Sequence, residues 1–244
     1  MAGWLSESGP GSELSPSAVY RLRNDGFVVL PDLVGPRKLT QLAGAYDAAV
    51  ASATGDDIRI GSTGTRVNDF VNRGAAFDDV YTVPSLLEAA GLVIGRPFKL
   101  SSLLARTVRS GAPEQQLHVD VQRNSADWPL LGFILMIDEF RSDNAATRFV
   151  PGSHLRAGLP ADSAAGGRPG LGDAVPACGT AGSLLVFNGS VWHGHGANCS
   201  DVARRSLQGA FIPRTGQAAT DFAARMSPET RTRLGPVAHR VLAV

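Results

Sequence analysis

The stretch FKLSSLLARTVRSGAPEQQLHVDV, residues 98–121, decides how this chain is read. Phe98 to Val108 mixes Leu, Phe, Val and Thr with Ser, Lys and Arg, the composition of a pleated strand with one face covered. Ser110-Gly111-Ala112-Pro113 interrupts it with turn residues, and Gln115 to Val121 begins a second extended run. That run carries His118-Val119-Asp120. Residues two apart in a strand project to the same face, so an imidazole and a carboxylate point one way.

The pattern continues downstream. Leu130 to Phe140, Thr147 to Val150, Ser183 to Phe187, Val191 to His193 and Arg204 to Ile212 are further short apolar runs, divided by turn signals such as Ser142-Asp143-Asn144. Upstream, Arg66 to Val71 alternates as a strand should, and Phe27 to Leu30 is a compact one. Helical spacing predicts a short helix from Pro16 that Asn24-Asp25-Gly26 ends, a second from Pro36 to about Ala53 and a third from Pro84 to Ile94, each opened by proline. Many short strands after a helical start predict a mainly β fold, an antiparallel sandwich or barrel flanked by helices. The 28 glycines and 15 prolines fit such a turn-rich architecture. We expect a flexible N-terminal tail over residues 1–15 and a single domain over 16–244. Residues 155–182, dense in Gly, Ala and Pro, are read as a lid or insertion loop.

Composition excludes several classes. The 244 residues carry 23 Lys+Arg against 22 Asp+Glu, a formal net charge of +1. Such a balance argues against nucleic acid or an anionic membrane as partner. The longest apolar run, Leu130 to Ile137, is far short of the ~20 residues of a membrane span. The polar start has no basic end and apolar stretch to form a signal peptide. Cys178 and Cys199 form no CxxC pair and read as reduced thiols. The expectation is a soluble, cytoplasmic protein acting on a small molecule, with its oligomeric state open.

The five histidines are His118, His154, His193, His195 and His239. His193 stands beside Trp192 at the end of a short strand. In a rolled sheet it can face His118 and Asp120 across the interior. Two histidines and one carboxylate on one face of an octahedron form the facial triad of non-haem Fe(II) oxygenases. Taken alone, an HxD tripeptide is as easily surface polarity, and a histidine beside a tryptophan is as easily a satisfied core residue. Arg204 and Arg205 open the next strand. A buried guanidinium clamps a carboxylate in bidentate fashion and needs an anion to offset its desolvation. A dicarboxylate that chelates a metal at one end and meets arginine at the other has the shape of 2-oxoglutarate. Register alone decides which arginine faces inward.

With these motifs assembled, the chain resembles the phytanoyl-CoA dioxygenase (PhyH-like) family of Fe(II)/2-oxoglutarate-dependent oxygenases. Leu14-Ser15-Pro16 through Asp25-Gly26-Phe27-Val28-Val29-Leu30 is similar to the family's opening helix and first strand, and His118-Val119-Asp120 matches its HxD. The segment from Asn144 to Pro151-Gly152-Ser153-His154 resembles its NG-x5-PGSH turn, with Ala145 where glycine is usual. Trp192-His193-Gly194-His195-Gly196-Ala197-Asn198 and Arg204-Arg205 follow its distal histidine and arginine segment. The resemblance implies a double-stranded β-helix (jelly-roll, cupin-like) core with flanking N-terminal α-helices. It implies iron ligands His118, Asp120 and His193, and Arg204 on the distal carboxylate of 2-oxoglutarate, with Thr147, His195 and Thr107 near that cosubstrate. The cofactors are then Fe(II), 2-oxoglutarate and O2. The reaction is oxidative decarboxylation of 2-oxoglutarate to succinate, coupled to C–H hydroxylation of a metabolite, in secondary metabolism. The same iron site can instead serve oxidative epimerisation, cyclisation or desaturation, or the chain can be a non-catalytic ligand-binding relative. Related halogenases have a small residue in place of the carboxylate, so Asp120 disfavours halogenation.

On the substrate side, Arg66, Asn68, Phe70 and Asn72 alternate onto one strand face, Arg106 lies on the 98–108 strand, and Trp128 follows the HxD. Of these, Arg106, Asn68, Phe70 and Trp128 are the candidate substrate contacts. The PGSH segment reads as a turn that fixes the sheet, and His239 is assigned nothing.

Overall fold

The computed structural model describes residues 12–122, 129–156 and 173–244. Ser15 caps the first helix, α1 (Pro16–Asn24), its hydroxyl accepting from the Ala18 amide ahead of a proline in the first turn. Leu22 of α1 is buried, and strand β1 (Phe27–Leu30) follows directly. Helix α2 (Pro36–Ala51) buries Leu42, Tyr46 and Ala49, and α3 (Pro84–Ile94) buries Leu86, Ala89, Ala90 and Ile94, both at helical spacing. The expected tail is tied down at its end. Leu14 is buried, and the Glu88 carboxylate accepts from the Ser12 hydroxyl and the amides of Glu13 and Leu14.

The remaining strands are β2 (Ile58–Ile60), β3 (Gly64–Val67), β4 (Phe98–Val108), β5 (Leu131–Met136), β6 (Thr147–Phe149), β7 (Val175–Pro176), β8 (Leu184–Asn188), β9 (His193–His195) and β10 (Arg204–Pro213). They form a seven-stranded sheet in the order β1-β8-β5-β10-β4-β3-β2 and a three-stranded sheet in the order β7-β6-β9, antiparallel throughout. This is the jelly-roll arrangement expected from the motifs. The large sheet is covered on both faces, so all six residues of β5 are buried. Leu131, Phe133 and Leu135 join the core that includes the helices. Ile134 and Met136, pointing the other way, pack with Phe149 of β6 and Phe187 in the space between the sheets.

Several local expectations shift. The strand expected over Arg66 to Val71 ends at Val67. Asp69 adopts a left-handed conformation (φ 63°), its carboxylate accepting from the Asn72 side-chain amide and from Arg225, and a 3-10 turn covers Phe70–Asn72. Asp tolerates this conformation better than most residues, and the turn buries Phe70 against Tyr46 and Phe77. Around His118 the expected strand reduces to an isolated bridge with His193. The 155–182 segment is partly sheet: Val175–Pro176 pairs with β6, and Gly179 bridges Phe140. The rest of that expectation, residues 157–172, lies outside the described residues. The chain ends in α4 (Phe222–Arg225), α5 (Pro228–Arg233) and α6 (Pro236–Leu242), which periodicity did not single out.

Phe70 has no exposed surface. Phe70→Ala should therefore cost about 3–5 kcal/mol of stability, read as a lowered urea midpoint at unchanged slope. A substrate-facing side chain would leave the midpoint in place.

Candidate functional site

Residues 115–118 lie along β9. The Gln115 amide donates to the His195 carbonyl, and His118 and His193 exchange both backbone hydrogen bonds. Gly194 permits this approach, because a Cβ there would stand 2.9 Å from the carbonyl oxygens of both Gln115 and Gln116. The pairing puts the His118 and His193 rings 4.4 Å apart, centroid to centroid. Asp120 Oδ1 is 3.9 Å from His118 Nε2 and 3.7 Å from His193 Nε2, too long for hydrogen bonds. Each ring places Nδ1 on a nearby backbone carbonyl, His118 on Gln116 at 3.1 Å and His193 on Val191 at 2.9 Å. An Nδ1–H donating there fixes the tautomer and leaves an Nε2 lone pair facing Asp120. Burial pushes the His193 imidazole well below its usual range, against the pull of Asp120, which keeps it neutral. The three ligand atoms lie within 4.8 Å of one another, a set that could hold a metal ion. The triad read from the sequence thus exists as a cluster.

The register of β10 separates the two arginines. Arg205 pairs Thr107 on the helix-covered face, where its guanidinium meets Asp138 (2.7 Å) and Asp47 (2.7 Å), clamping α2 to the sheet. Arg204 points inward and is only 2% exposed. Its guanidinium lies 3.8 Å from the Phe140 ring centroid, and its Nε and Nη1 have no hydrogen-bond partner among the described residues. Burial pushes it down to about 9, so it stays charged at neutral pH. A buried cation with unspent donors is costly unless an anion meets it.

A cavity of about 310 Å3 is lined by Arg204 together with His118, Asp120, His193, Thr147 and His195. Thr147 and His195 are cross-strand partners on β6 and β9, and both are buried. The His195 ring, its Nδ1 on the Gly196 carbonyl, is pushed down to about 4 by burial and presents an unpartnered Nε2. Arg106 also lines the cavity.

Three expected contacts are corrected. Thr107 sits on the opposite face of β4, its hydroxyl 2.8 Å from that of Tyr46, because it shares the face of Arg205. Phe70 is core, for the reason given above. Asn68, after the end of β3, is half-buried and spends its backbone on Asp57 and Arg73, away from the cavity. Trp128 lies outside the described residues. The sequence reading missed Gln208 and Ser102, which also line the cavity. Extending the alternation of β10 inward from Arg204 through Ser206 reaches Gln208, so the signal was present.

The other motifs hold the frame. The Asn144 side chain accepts from the Arg141 amide and donates to the Glu139 carbonyl, pinning the turn in which Ala145 takes a left-handed φ of 64°. That conformation explains why glycine would suit position 145. Ser153 Oγ accepts from the Trp192 amide and the His154 ring contacts the Arg23 carbonyl, so the PGSH turn is structural, as expected.

Thr107→Val should remove the Tyr46 hydrogen bond and cost about 1–3 kcal/mol of stability, measured by urea denaturation. Binding of a divalent metal ion in the cavity, followed by calorimetry, should not change.

The family model described as "Phytanoyl-CoA dioxygenase (PhyH)" matches residues 22–206. The chain is 28% identical over 221 residues to dioxygenase trt7 of Aspergillus terreus, covering 80% of this chain and 72% of that one. It is also 28% identical over 232 residues to dioxygenase FrzG of Cladobotryum sp, covering 82% and 75%. Among solved structures, HygX from Streptomyces hygroscopicus, with nickel and 2-oxoglutarate bound, superposes with a TM-score of 0.70 at 15% identity, covering 84% of this chain and 89% of that one. The α-ketoglutarate-dependent epimerase SnoN from nogalamycin biosynthesis gives 0.67 at 20% identity, covering 81% and 82%. The carbocyclase SnoK from the same biosynthesis gives 0.67 at 19% identity, covering 90% and 94%. The family match runs from within α1 to the start of β10 and takes in His118, Asp120, His193 and Arg204, and the chain belongs to the phytanoyl-CoA dioxygenase (PhyH) family.

Proposed function

We propose that this protein is an Fe(II)- and 2-oxoglutarate-dependent dioxygenase that hydroxylates a C–H bond of a small-molecule metabolite. One observation carries the reading: a triad with both Nε2 lone pairs turned toward one carboxylate shares its cavity with a buried arginine whose donors are unspent. That donor set fits the two groups. Imidazole and carboxylate suit an iron(II) ion with open positions, and a desolvated guanidinium suits a carboxylate. With O2, the bound pair supplies an oxidant as 2-oxoglutarate is converted to succinate and CO2, one oxygen atom passing to succinate and the other to the product.

The chain's own residues bind, orient and exclude. His118, Asp120 and His193 hold the metal, their rings fixed by the Gln116 and Val191 carbonyls. Arg204 takes the distal carboxylate of 2-oxoglutarate, with the Thr147 hydroxyl and His195 beside it. Phe187, Ile134 and Leu130 give the cavity an apolar wall that limits water near the reacting carbon. No helix among the described residues is long and apolar enough to cross a membrane. The relatives named as dioxygenases support oxidation as the chemistry.

A second reading keeps this site and changes the outcome. The fold neighbours SnoN and SnoK are named an epimerase and a carbocyclase, so oxidative epimerisation or ring closure is the alternative to hydroxylation. Product mass separates them: hydroxylation adds one oxygen atom, epimerisation leaves the mass unchanged, and ring closure or desaturation removes two hydrogens.

Anaerobic addition of Fe(II) and then 2-oxoglutarate to the metal-free protein should produce the weak visible charge-transfer band of the chelate. Arg204→Ala should raise the 2-oxoglutarate needed for the band by about 10- to 100-fold, the worth of a hydrogen-bonded charged pair. His193→Ala should abolish the band, and Asp120→Ala should abolish coupled succinate formation with the fold intact by circular dichroism. A folded wild-type protein that gives no band with excess iron would leave a ligand-binding relative as the better reading.

A further inference from the structure

The cavity holds more positive charge than iron and 2-oxoglutarate use. Arg66, Arg106 and Arg204 all line it, and among the described lining residues Asp120 is the one carboxylate. A divalent cation, Asp120, the two carboxylates of 2-oxoglutarate and Arg204 cancel in formal charge. Arg66 and Arg106 are left over.

These two are directly opposed in the β3–β4 register. Like charges on opposed strand positions destabilise a sheet unless something neutralises them. Arg106 is only 8% exposed, yet its side chain makes a single hydrogen bond, Nη2 to Thr63 Oγ1 at 3.0 Å. No carboxylate among the described residues lies within ion-pair distance of either guanidinium. Partly buried arginines elsewhere in the chain are treated differently: Arg73, Arg205 and Arg233 each meet an aspartate. A cation removed from water, beside a second cation and with donors to spare, is a site built for an anion brought in from outside.

Arg204 and Arg106 are diagonal neighbours on the inner face, near enough for Arg106 to help push the Arg204 guanidinium down, but their strand partners differ. Arg204 pairs Val108 in register, whereas Arg106 pairs Ser206 on one side and Arg66 on the other, toward the β3 edge of the sheet. We infer that Arg106, with Arg66, forms a second anion subsite that holds a carboxylate of the primary substrate, so the enzyme acts on a small organic acid. This rests on the iron and 2-oxoglutarate reading above and adds the substrate class to it. The planar fork of Arg106, one Nη2 hydrogen bond spent on Thr63, keeps Nε–H and Nη1–H donors for a carboxylate. Anchored there, the substrate would present its apolar body to the wall formed by Leu104 and Ile134.

The test uses the anaerobic protein loaded with Fe(II) and 2-oxoglutarate, with calorimetric titration of acetate, benzoate and 2-naphthoate against the three matching amides. At least one acid should bind tenfold or more tightly than its amide. In Arg106→Gln that preference should fall below threefold, while the 2-oxoglutarate needed for the charge-transfer band stays at the wild-type level. Arg106→Lys, which keeps the charge, should retain part of the preference. Should Arg106→Gln fail to fold, Arg66→Gln at the exposed member of the pair should weaken the preference instead. Equal binding of every acid and its amide, or a preference that survives Arg106→Gln, overturns the inference and leaves the iron site untouched. A 2-oxoglutarate requirement that rises in Arg106→Gln as much as in Arg204→Ala also overturns it, by assigning Arg106 to the cosubstrate. Absence of the band in wild type overturns both readings together.

Discussion

The site depends on one short antiparallel contact, that of residues 115–118 with β9. His118 and His193 are far apart in sequence, and the backbone hydrogen bonds of this contact, their mutual pair among them, bring the rings together. A side chain at position 194 would collide with two backbone carbonyls, so the contact requires glycine there. β9 in turn pairs with β6, which places Thr147 opposite His195 and sets the Phe149 ring against His193. Ligand cluster, cavity wall and the smaller sheet therefore share one strand of three residues. The turns held by Asn144 and the PGSH segment keep that strand in place, which is why those motifs matter though they lie outside the His118, Asp120 and His193 cluster.

The alternation of β10 is the second organising constraint. Successive residues of a strand face opposite ways, so two adjacent arginines acquire opposite environments. Arg205 spends its donors on Asp138 and Asp47 and joins α2 to the sheet. Arg204 is sealed inside with donors left over. The first arrangement contributes to stability and the second draws on it, the usual relation between a scaffold and the functional group it holds in readiness. Arg106 follows the second pattern on the neighbouring strand. The PhyH family match takes in the triad and Arg204, whereas the unpaired charge of Arg106 lies outside what the iron and 2-oxoglutarate reading uses.

Much of this was legible in the sequence, because it rests on local signals. Prolines at the starts of α1, α2 and α3, the apolar spacing within them, and the alternation of β4 and β10 gave the elements nearly to the residue. HxD and the distal histidine gave the candidate ligand set that the structure gathers into one cluster, since few side-chain types bind metal ions. Failures fell where a local pattern met a tertiary demand. Arg66 to Val71 alternates like a strand, but the left-handed turn at Asp69, held by the distant Arg225, redirects Phe70 into the core. Thr107 is a strand hydroxyl like Thr147, yet the two differ in face, and face depends on register across several strands.

The sequence by itself determined the mainly β class, the helical start, the candidate ligands and the presence of paired arginines, because propensity and side-chain chemistry belong to single residues and their neighbours. Tertiary structure alone decided which arginine faces the cavity, which threonine lines it, and that Arg66 stands opposite Arg106. Those are properties of strand register, and register is set by backbone hydrogen bonds between segments that the chain order keeps far apart.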